Sequence, residues 1–187
     1  MIGKGARTVK YLRRFVWYIA SRLLAVCLVL GLMVVAFYYA MNVTNIYIVL
    51  KDGMARRAQV VMMEEDASEL TKYFQSSFLE RDPAVQAALV GSSPYQDYNI
   101  RGIDHRLNMA FLWVWPWDES ARVDITERIP SIDGRIKGDK AEAAIAAHGD
   151  SVIYPPRWTS AKYRAVLAKE NGQWRIRSLA LVEELEE

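Results

Sequence analysis

The first 51 residues contain no aspartate or glutamate, and the first acidic residue is Asp52. Six basic residues stand ahead of position 23: Lys4, Arg7, Lys10, Arg13, Arg14 and Arg22. Because no acidic residue lies near them in the sequence, a helix buried in a soluble core is a poor interpretation of this region. The chain has 24 basic and 22 acidic residues. Without these six, 18 basic and 22 acidic residues remain, so the rest of the chain has a net charge of −4. That negative balance disfavours nucleic-acid binding.

Charge of either sign is missing from Leu23 to Met41, a run of nineteen residues. At about 1.5 Å per residue, a helix of this length covers roughly 28 Å, close to the hydrocarbon thickness of a bilayer. A cleaved signal peptide is the main alternative, but the run is longer than a usual signal core and no A-x-A site follows it. The sequence therefore predicts a retained transmembrane anchor over 23–41, in contact with the lipid bilayer.

The positive charges predict the orientation of this anchor. Cationic flanks stay in the cytoplasm, so residues 1–22 are expected to form a basic cytoplasmic segment. The C-terminal part of the chain is then outside the cytoplasm, and the predicted location is the cell membrane with a single pass. Lys51 is basic and on the outer side, but it lies ten residues beyond Met41.

Cysteine is nearly absent, since the single Cys27 lies inside the predicted anchor. The outer part of the chain therefore needs no disulfide and carries no thiol chemistry. The two histidines, His105 and His148, are more than forty residues apart, which is not a metal-site spacing. The sequence also lacks a P-loop, a nucleophile elbow and an EF-hand. We predict no cofactor, no metal and no enzymatic activity.

The segment 42–63 connects the anchor to the rest of the chain and admits two interpretations. Its apolar residues from Ile46 to Leu50 fit a helical stripe that continues the anchor outward. The same residues are also typical of a β-strand. We predict a juxtamembrane connector that is helical and is interrupted near Asp52 and Gly53.

Residues 64–187 change from helical to strand periodicity along the chain. The segment Asp66–Glu69 has capping-box spacing ahead of a predicted helix over Leu70–Leu79. A second short helix starts with Pro83 in its first turn and ends at Gly91. From Gly102 onward the pattern is that of strands, which begin with a predicted hairpin of 107–115 and 121–126.

The last part of the domain contains a predicted loop, a helix and a second hairpin. The loop covers 130–138, and Asp139 is expected to cap a helix over Lys140–His148. Asn171-Gly172 is a strong signal for a tight hairpin turn, and a change of apolar parity predicts a β-bulge near Ser178. This order predicts an α+β extracytoplasmic domain over 64–187, with helices packed on one face of a curved antiparallel sheet.

The order of elements resembles the NTF2-like (cystatin-like cone) superfamily over roughly residues 60–183. The resemblance rests on the Leu70–Leu79 helix, the approach to the sheet at Tyr95–Tyr98 and the ending Tyr163…Asn171-Gly172…Trp174-Arg-Ile176. With one anchor in front, the layout is similar to membrane-tethered NTF2-like scaffold proteins of conjugation and type IV secretion channels, and of the channel between mother cell and forespore. The resemblance implies a bacterial domain that assembles through its sheet and helix faces and catalyses nothing.

Aromatic residues of one parity alternate along the first predicted hairpin: Phe111, Trp113, Trp115 and Trp117. They are expected to share one face of the strand. Three placements stay open, which are a packed core, a protein interface and the lining of an apolar pocket in the cone. Trp174 belongs to the same set of candidate interface or pocket residues.

Asp104 and His105 are the first candidates for acid–base chemistry, with Tyr98 as a further pocket candidate. Neighbours on a strand point to opposite faces, so Asp104 and His105 are not expected to act as one dyad. A surface or strand-edge role is the simpler interpretation of both residues.

Two functions follow from these observations. The first is a non-enzymatic, single-pass membrane protein that acts as a scaffold or assembly element of a bacterial envelope complex, with protein partners or further copies of itself. Its expected contact surfaces are the Trp113–Trp117 hairpin and the exposed edge of the Tyr163–Val182 hairpin. The alternative is a membrane-tethered NTF2-like domain that binds a small ligand, or catalyses a reaction, in the cone pocket.

Overall fold

The computed structural model of the chain describes residues 3–185, with side chains from residue 13 onward except at 139, 143, 147, 148, 150 and 151. Within that range the helices are α1 (Gly3–Met63), α2 (Ser76–Leu79), α3 (Pro83–Leu89) and α4 (Gly138–His148). The strands are β1 (Tyr98–Ile103), β2 (Arg106–Met109), β3 (Ser120–Arg128), β4 (Ile132–Ile136), β5 (Ala161–Glu170) and β6 (Gln173–Glu184). The chain divides into two compact units, one up to Asn42 and one from Val43 onward.

The first unit consists of the N-terminal part of α1. Most of its large apolar side chains between Phe15 and Met41 are exposed. Over Arg13–Met63 the helix is long enough and apolar enough to cross a membrane. A candidate membrane-spanning helix near the N-terminus, as the charge-free run predicted, is therefore confirmed by length and composition.

The second unit begins with the C-terminal part of α1, which is a core helix. Ile46, Leu50, Met54 and Ala58 recur every fourth residue and are fully buried. The helix continues without a break through Asp52 and Gly53, so the predicted interruption is wrong. A Cβ on Gly53 would lie 2.9 Å from the Cβ of Tyr73, which shows that this glycine provides room for close packing rather than a break.

The predicted helix over Leu70–Leu79 is also wrong. A 3₁₀ turn over Ala67–Lys72 is followed by the short α2, and the residues between them pair with β6. The Gln75 N–H donates to the Ile176 carbonyl at 2.9 Å, and the Ile176 N–H donates to the Tyr73 carbonyl at 2.7 Å. These backbone bonds to a strand replace the bonds that a continuous helix would need. The predicted cap at Asp66 is confirmed, since its carboxylate accepts from the Ser68 N–H at 2.9 Å.

Within residues 3–185, antiparallel pairing produces two sheets, where the sequence predicted one curved sheet. One sheet has four strands in the order β2-β3-β5-β6, and the other pairs β1 with β4. The loop predicted over 130–138 is wrong, because it contains β4. Gly134 allows this strand to lie close to β1, since a Cβ there would be 2.9 Å from the Cγ1 of Ile100.

The first predicted hairpin is correct in pairing but too long in its first strand. β2 pairs with β3 as far as Met109 and Ile125. The Ala110 N–H still donates to the Asp124 carbonyl at 2.9 Å, and residues 111–119 then leave the ladder. The strand predicted to run on to Trp115 therefore ends near Met109, and a loop takes its place.

The final hairpin agrees with the sequence. Asn171 and Gly172 have φ values of 52° and 79°, as a tight two-residue turn between β5 and β6 requires. The register shifts where Val166 faces Ser178 and Leu167 faces Ile176, which confirms the bulge near Ser178. α4 is also present, although its N-cap is Lys137 rather than Asp139. Together these elements confirm an α+β fold with antiparallel sheets.

Candidate functional site

An exposed row of aromatic side chains, the aromatic ridge, occupies the loop between β2 and β3. It consists of Phe111, Trp113, Trp115 and Trp117. Phe111, Trp113 and Trp117 are 83 %, 60 % and 65 % exposed, whereas Leu112 and Val114 between them are buried in the core. The packed-core interpretation of the four aromatic residues is therefore wrong. Residues 111–119 are outside the strand pairing, yet Leu112 and Val114 still point into the core. The aromatic side chains that alternate with them therefore point outward.

Contacts between neighbouring rings order the ridge. The centroids of Trp113 and Trp115 are 5.2 Å apart in an edge arrangement, and those of Trp115 and Trp117 are 5.1 Å apart and stacked. The Asp118 carboxylate accepts from the backbone N–H of Trp115 at 2.7 Å, which fixes the turn at the end of the ridge. The rings therefore form one continuous apolar surface rather than separate side chains.

Trp174 does not belong to this surface, because it is buried in the hydrophobic core. The Lys169 ammonium lies 4.8 Å from the centre of its ring. The same side chain donates to the Pro116 carbonyl at 3.4 Å. Lys169 thus connects the aromatic loop to the core around Trp174.

Asp104 and His105 face opposite sides, as expected for neighbours in an extended chain. The Asp104 carboxylate is partly exposed and accepts from Arg106 at 2.6 Å. The side chain of His105 is buried, with its Nε2 3.0 Å from Oε1 of the fully buried Glu127. His105 therefore has no surface role, because the Glu127 carboxylate buried on β3 requires a partner. Its position directly before β2, an edge strand of the four-stranded sheet, agrees with the strand-edge alternative. Tyr98 lies at the first position of β1, half-buried against the core.

A buried ion pair, which sequence reasoning missed, joins α1 to the start of α3. The Arg57 guanidinium donates to the two carboxylate oxygens of Asp82 at 2.5 Å and 3.0 Å. Burial by itself lowers the pKa of Arg57, but the hydrogen bonds and charge of Asp82 outweigh this and raise the pKa overall. The Arg57 guanidinium is therefore charged. Asp82 and Pro83 mark a helix start in the sequence, but nothing there indicated a partner 25 positions earlier.

Arg57 and Tyr163 line two open clefts. One is lined by Phe78, Leu179 and Leu181, and the other by Tyr95 and Trp158. Burial, and then the charge of Glu127, raises the pKa of Tyr163, and burial raises the pKa of Tyr95 to about 12. Both phenols are thus protonated at neutral pH.

The polar groups near these clefts are largely paired with one another. Glu127 is held by His105 and by the Trp158 indole N–H, which donates to its Oε2 at 3.4 Å. Asp82 is held by Arg57 and by the Ala84 N–H, which donates to it at 3.0 Å. Within the part of the chain that the structure describes, no three His, Cys, Asp or Glu side chains come together in a group that could hold a metal ion. The arrangement is suited to stabilising the core.

The outer half of β6 forms an exposed sheet edge. The segment at Phe74 pairs with β6 at Ile176, and in residues 3–185 no further strand lies beside β6 on that side. Leu181 and Val182 are exposed along this stretch.

Comparison of the chain with protein families, with curated proteins and with solved structures found no match.

Proposed function

We propose that this chain is a non-enzymatic, single-pass membrane protein of a bacterial envelope complex. Its α+β domain, of NTF2-like type, would lie outside the cytoplasm and act as an assembly element. The long apolar helix and the basic residues before it support the anchor and its orientation. The mutual pairing of the buried charged groups supports a structural rather than a catalytic role for them.

The observation that carries the assembly function is the exposed edge of β6. An uncovered strand edge offers backbone N–H and C=O groups to another strand. The segment at Phe74 already adds to this edge at Ile176, so the strand accepts a neighbour there. The edge beyond Ile176 carries exposed Leu181 and Val182, apolar side chains that a second strand would cover.

We assign a second copy of this chain as the occupant of that edge, because the charges along β6 are self-complementary. Arg177 and Glu183 are both exposed and each lies three residues from Ala180. Antiparallel pairing of two β6 strands centred on Ala180, over the stretch between the register shifts at Arg177 and Val182, would bring Arg177 of each copy near Glu183 of the other. Two opposite-charge pairs, related by a twofold axis, would then flank the apolar centre.

A charge exchange tests this assembly in the full chain in lipid nanodiscs or detergent. Arg177→Glu or Glu183→Arg alone should weaken self-association about three- to tenfold, because each places like charges opposite one another. The double variant should recover the affinity of the unchanged chain. Concentration-dependent cross-linking and light scattering would measure the effect. Arg122→Glu is the matched control, since Arg122 is exposed on β3 and away from this edge.

Self-association that is absent at every concentration would contradict the proposal. Equal affinities for the two single variants and the unchanged chain would contradict the β6 contact in particular. A weakening by Arg122→Glu of the same size would show that net charge, rather than the β6 register, governs association.

A further inference from the structure

We infer that the aromatic ridge is a second contact between copies of this chain, in which two ridges pack against each other across a twofold axis. The inference deepens the proposed assembly function and rests on it. The ridge follows β2, one edge strand of the four-stranded sheet, whereas the first contact uses β6, the other edge strand. The two contacts share no residue, so each can be changed by substitution without altering the other.

The ridge exposes enough apolar surface for a specific contact. Three of its rings are more than half exposed, and Trp115 is 38 % exposed. A buried aromatic side chain covers about 150–250 Å², so the four rings together expose roughly 500 Å² in one patch. Apolar patches of this size on a protein surface are often functional. Two ridges in contact would remove roughly 1,000 Å² from water, which reaches the lower limit for a specific interface.

The spacing of the rings is self-complementary. The four aromatic residues lie symmetrically about Val114 in the sequence. With two loops antiparallel and a twofold axis at the level of Val114, Phe111 of each copy lies opposite Trp117 of the other, and Trp113 lies opposite Trp115. Every ring then meets a ring, as a contact of one surface with itself requires. Aromatic pairs favour stacked or edge arrangements, and neighbouring rings of the ridge already adopt both.

The charges around the ridge also permit contact with a second copy. Residues 111–117 contain no charged side chain. In the same register, the acidic residues that follow, Asp118 and Glu119, fall opposite Ala110 and Met109 of the other copy. Like charges therefore do not face each other across the axis. An uncharged surface is matched to its own copy, whereas a charged partner would find no opposite charge on it.

Together, the ridge contact and the β6 contact extend the assembly beyond a dimer. Each contact joins a surface to the same surface of another copy, so each alone stops at two copies. A chain that has both forms a dimer through one contact and joins dimers through the other. The expected product is a row or a closed ring of copies.

Site-specific photo-cross-linking of the full chain, produced in a bacterial host and kept in its membrane, tests the inference. p-Benzoylphenylalanine replaces Phe111, which is 83 % exposed. Irradiation should give a covalent dimer of the chain, and mass spectrometry should place the cross-link near Trp117 of the second copy. Val90 is the matched control, because it is apolar, 75 % exposed and outside both contacts. The same group at Val90 should give only background dimer.

Substitutions separate the two contacts in light scattering of the full chain in detergent. Trp113→Ser with Trp117→Ser should weaken the ridge contact about thirtyfold or more, because tryptophans at the centre of an interface carry much of its affinity. This variant should form dimers through β6 but no larger assemblies. Arg177→Glu should weaken the β6 contact and leave ridge dimers. The combination of all three substitutions should be largely monomeric.

The outcomes distinguish the inference from the function on which it rests. A cross-link from position 111 to lipid or to a different protein, without a dimer of the chain, overturns the inference alone. A dimer yield no higher than that from position 90 also overturns it. Dimers that the tryptophan variant abolishes and Arg177→Glu leaves intact would support the ridge contact and contradict the β6 contact. Absence of any association at every concentration contradicts the assembly function, and the inference with it.

Discussion

Asp82 binds two partners that belong to different parts of the chain. Its carboxylate pairs with Arg57 of the core helix and accepts from the Ala84 N–H at the start of α3. The cap follows from the local sequence, because Pro83 and Ala84 are adjacent to it. The ion pair depends on how α3 packs on α1, and for that reason sequence reasoning missed Arg57 entirely.

Asp82→Ala should lower the free energy of unfolding by about 3–5 kcal/mol, because it leaves the Arg57 guanidinium buried without its partner. Urea unfolding of the full chain in detergent, followed by tryptophan fluorescence, would measure the loss. Asp82→Leu combined with Arg57→Met should recover much of it, since no buried charge would remain unpaired. Asp124→Ala, which breaks the exposed pair with Arg164, should have a much smaller effect. A similar loss from Asp124→Ala would contradict this account.

At the scale of elements, the helix α1 shows why glycine was misleading in the sequence. Gly53 looked like a break because glycine is a poor helix former. In the structure it lies against Tyr73, Phe74 and Ile176, where a larger residue would not fit. The sequence predicted a helical segment here, but the partners that explain the glycine lie twenty or more residues away.

Gly53→Ala should lower the free energy of unfolding by about 1–3 kcal/mol, because the Cβ would lie 2.9 Å from the Cβ of Tyr73, and the packed chain must shift. Thermal unfolding of the full chain in detergent would detect this as a lower midpoint. Gly31→Ala in the same helix is the control, since a Cβ there meets nothing within 4 Å. A midpoint that rises with Gly53→Ala would mean that helix propensity outweighs the close contact.

Some of the other elements could be predicted from the local sequence, and some could not. The Asn171-Gly172 turn and the start of α3 were predicted, because each depends on residues next to one another in the chain. The split of the Leu70–Leu79 helix and the presence of β4 were not predicted. Both result from backbone hydrogen bonds to distant strands, at Ile176 and along β1. Such competition between local and long-range bonding leaves no mark on local periodicity.

The whole molecule combines an apolar helix with a domain that carries a net negative charge. The N-terminal cations predict that the helix has its start in the cytoplasm and the domain outside. The exposed aromatic ridge and the β6 edge would then both face the extracytoplasmic side. Orientation therefore decides which partners these surfaces meet.

Alkaline phosphatase fused after Glu187 should be active in a bacterial host. Green fluorescent protein fused at the same position should not fluoresce when the general secretion route exports it. The expected result follows from retention of the basic segment 1–22 in the cytoplasm. Replacing the six N-terminal cations with glutamate should reduce phosphatase activity, because the charge bias would be removed. Fluorescent fusions without phosphatase activity would contradict the predicted topology.

The sequence by itself determined the features that depend on neighbouring residues or on composition: the apolar helix, the α+β order, the tight turn and the bulge near Ser178. The tertiary structure alone decided which side of the loop the tryptophans occupy and which charges are paired inside. Leu112 and Val114 fill the core, and this leaves Trp113 and Trp115 outside. Glu127 holds His105 inward across 22 positions of sequence. These outcomes depend on the competition of distant groups for one limited interior, which no single segment encodes.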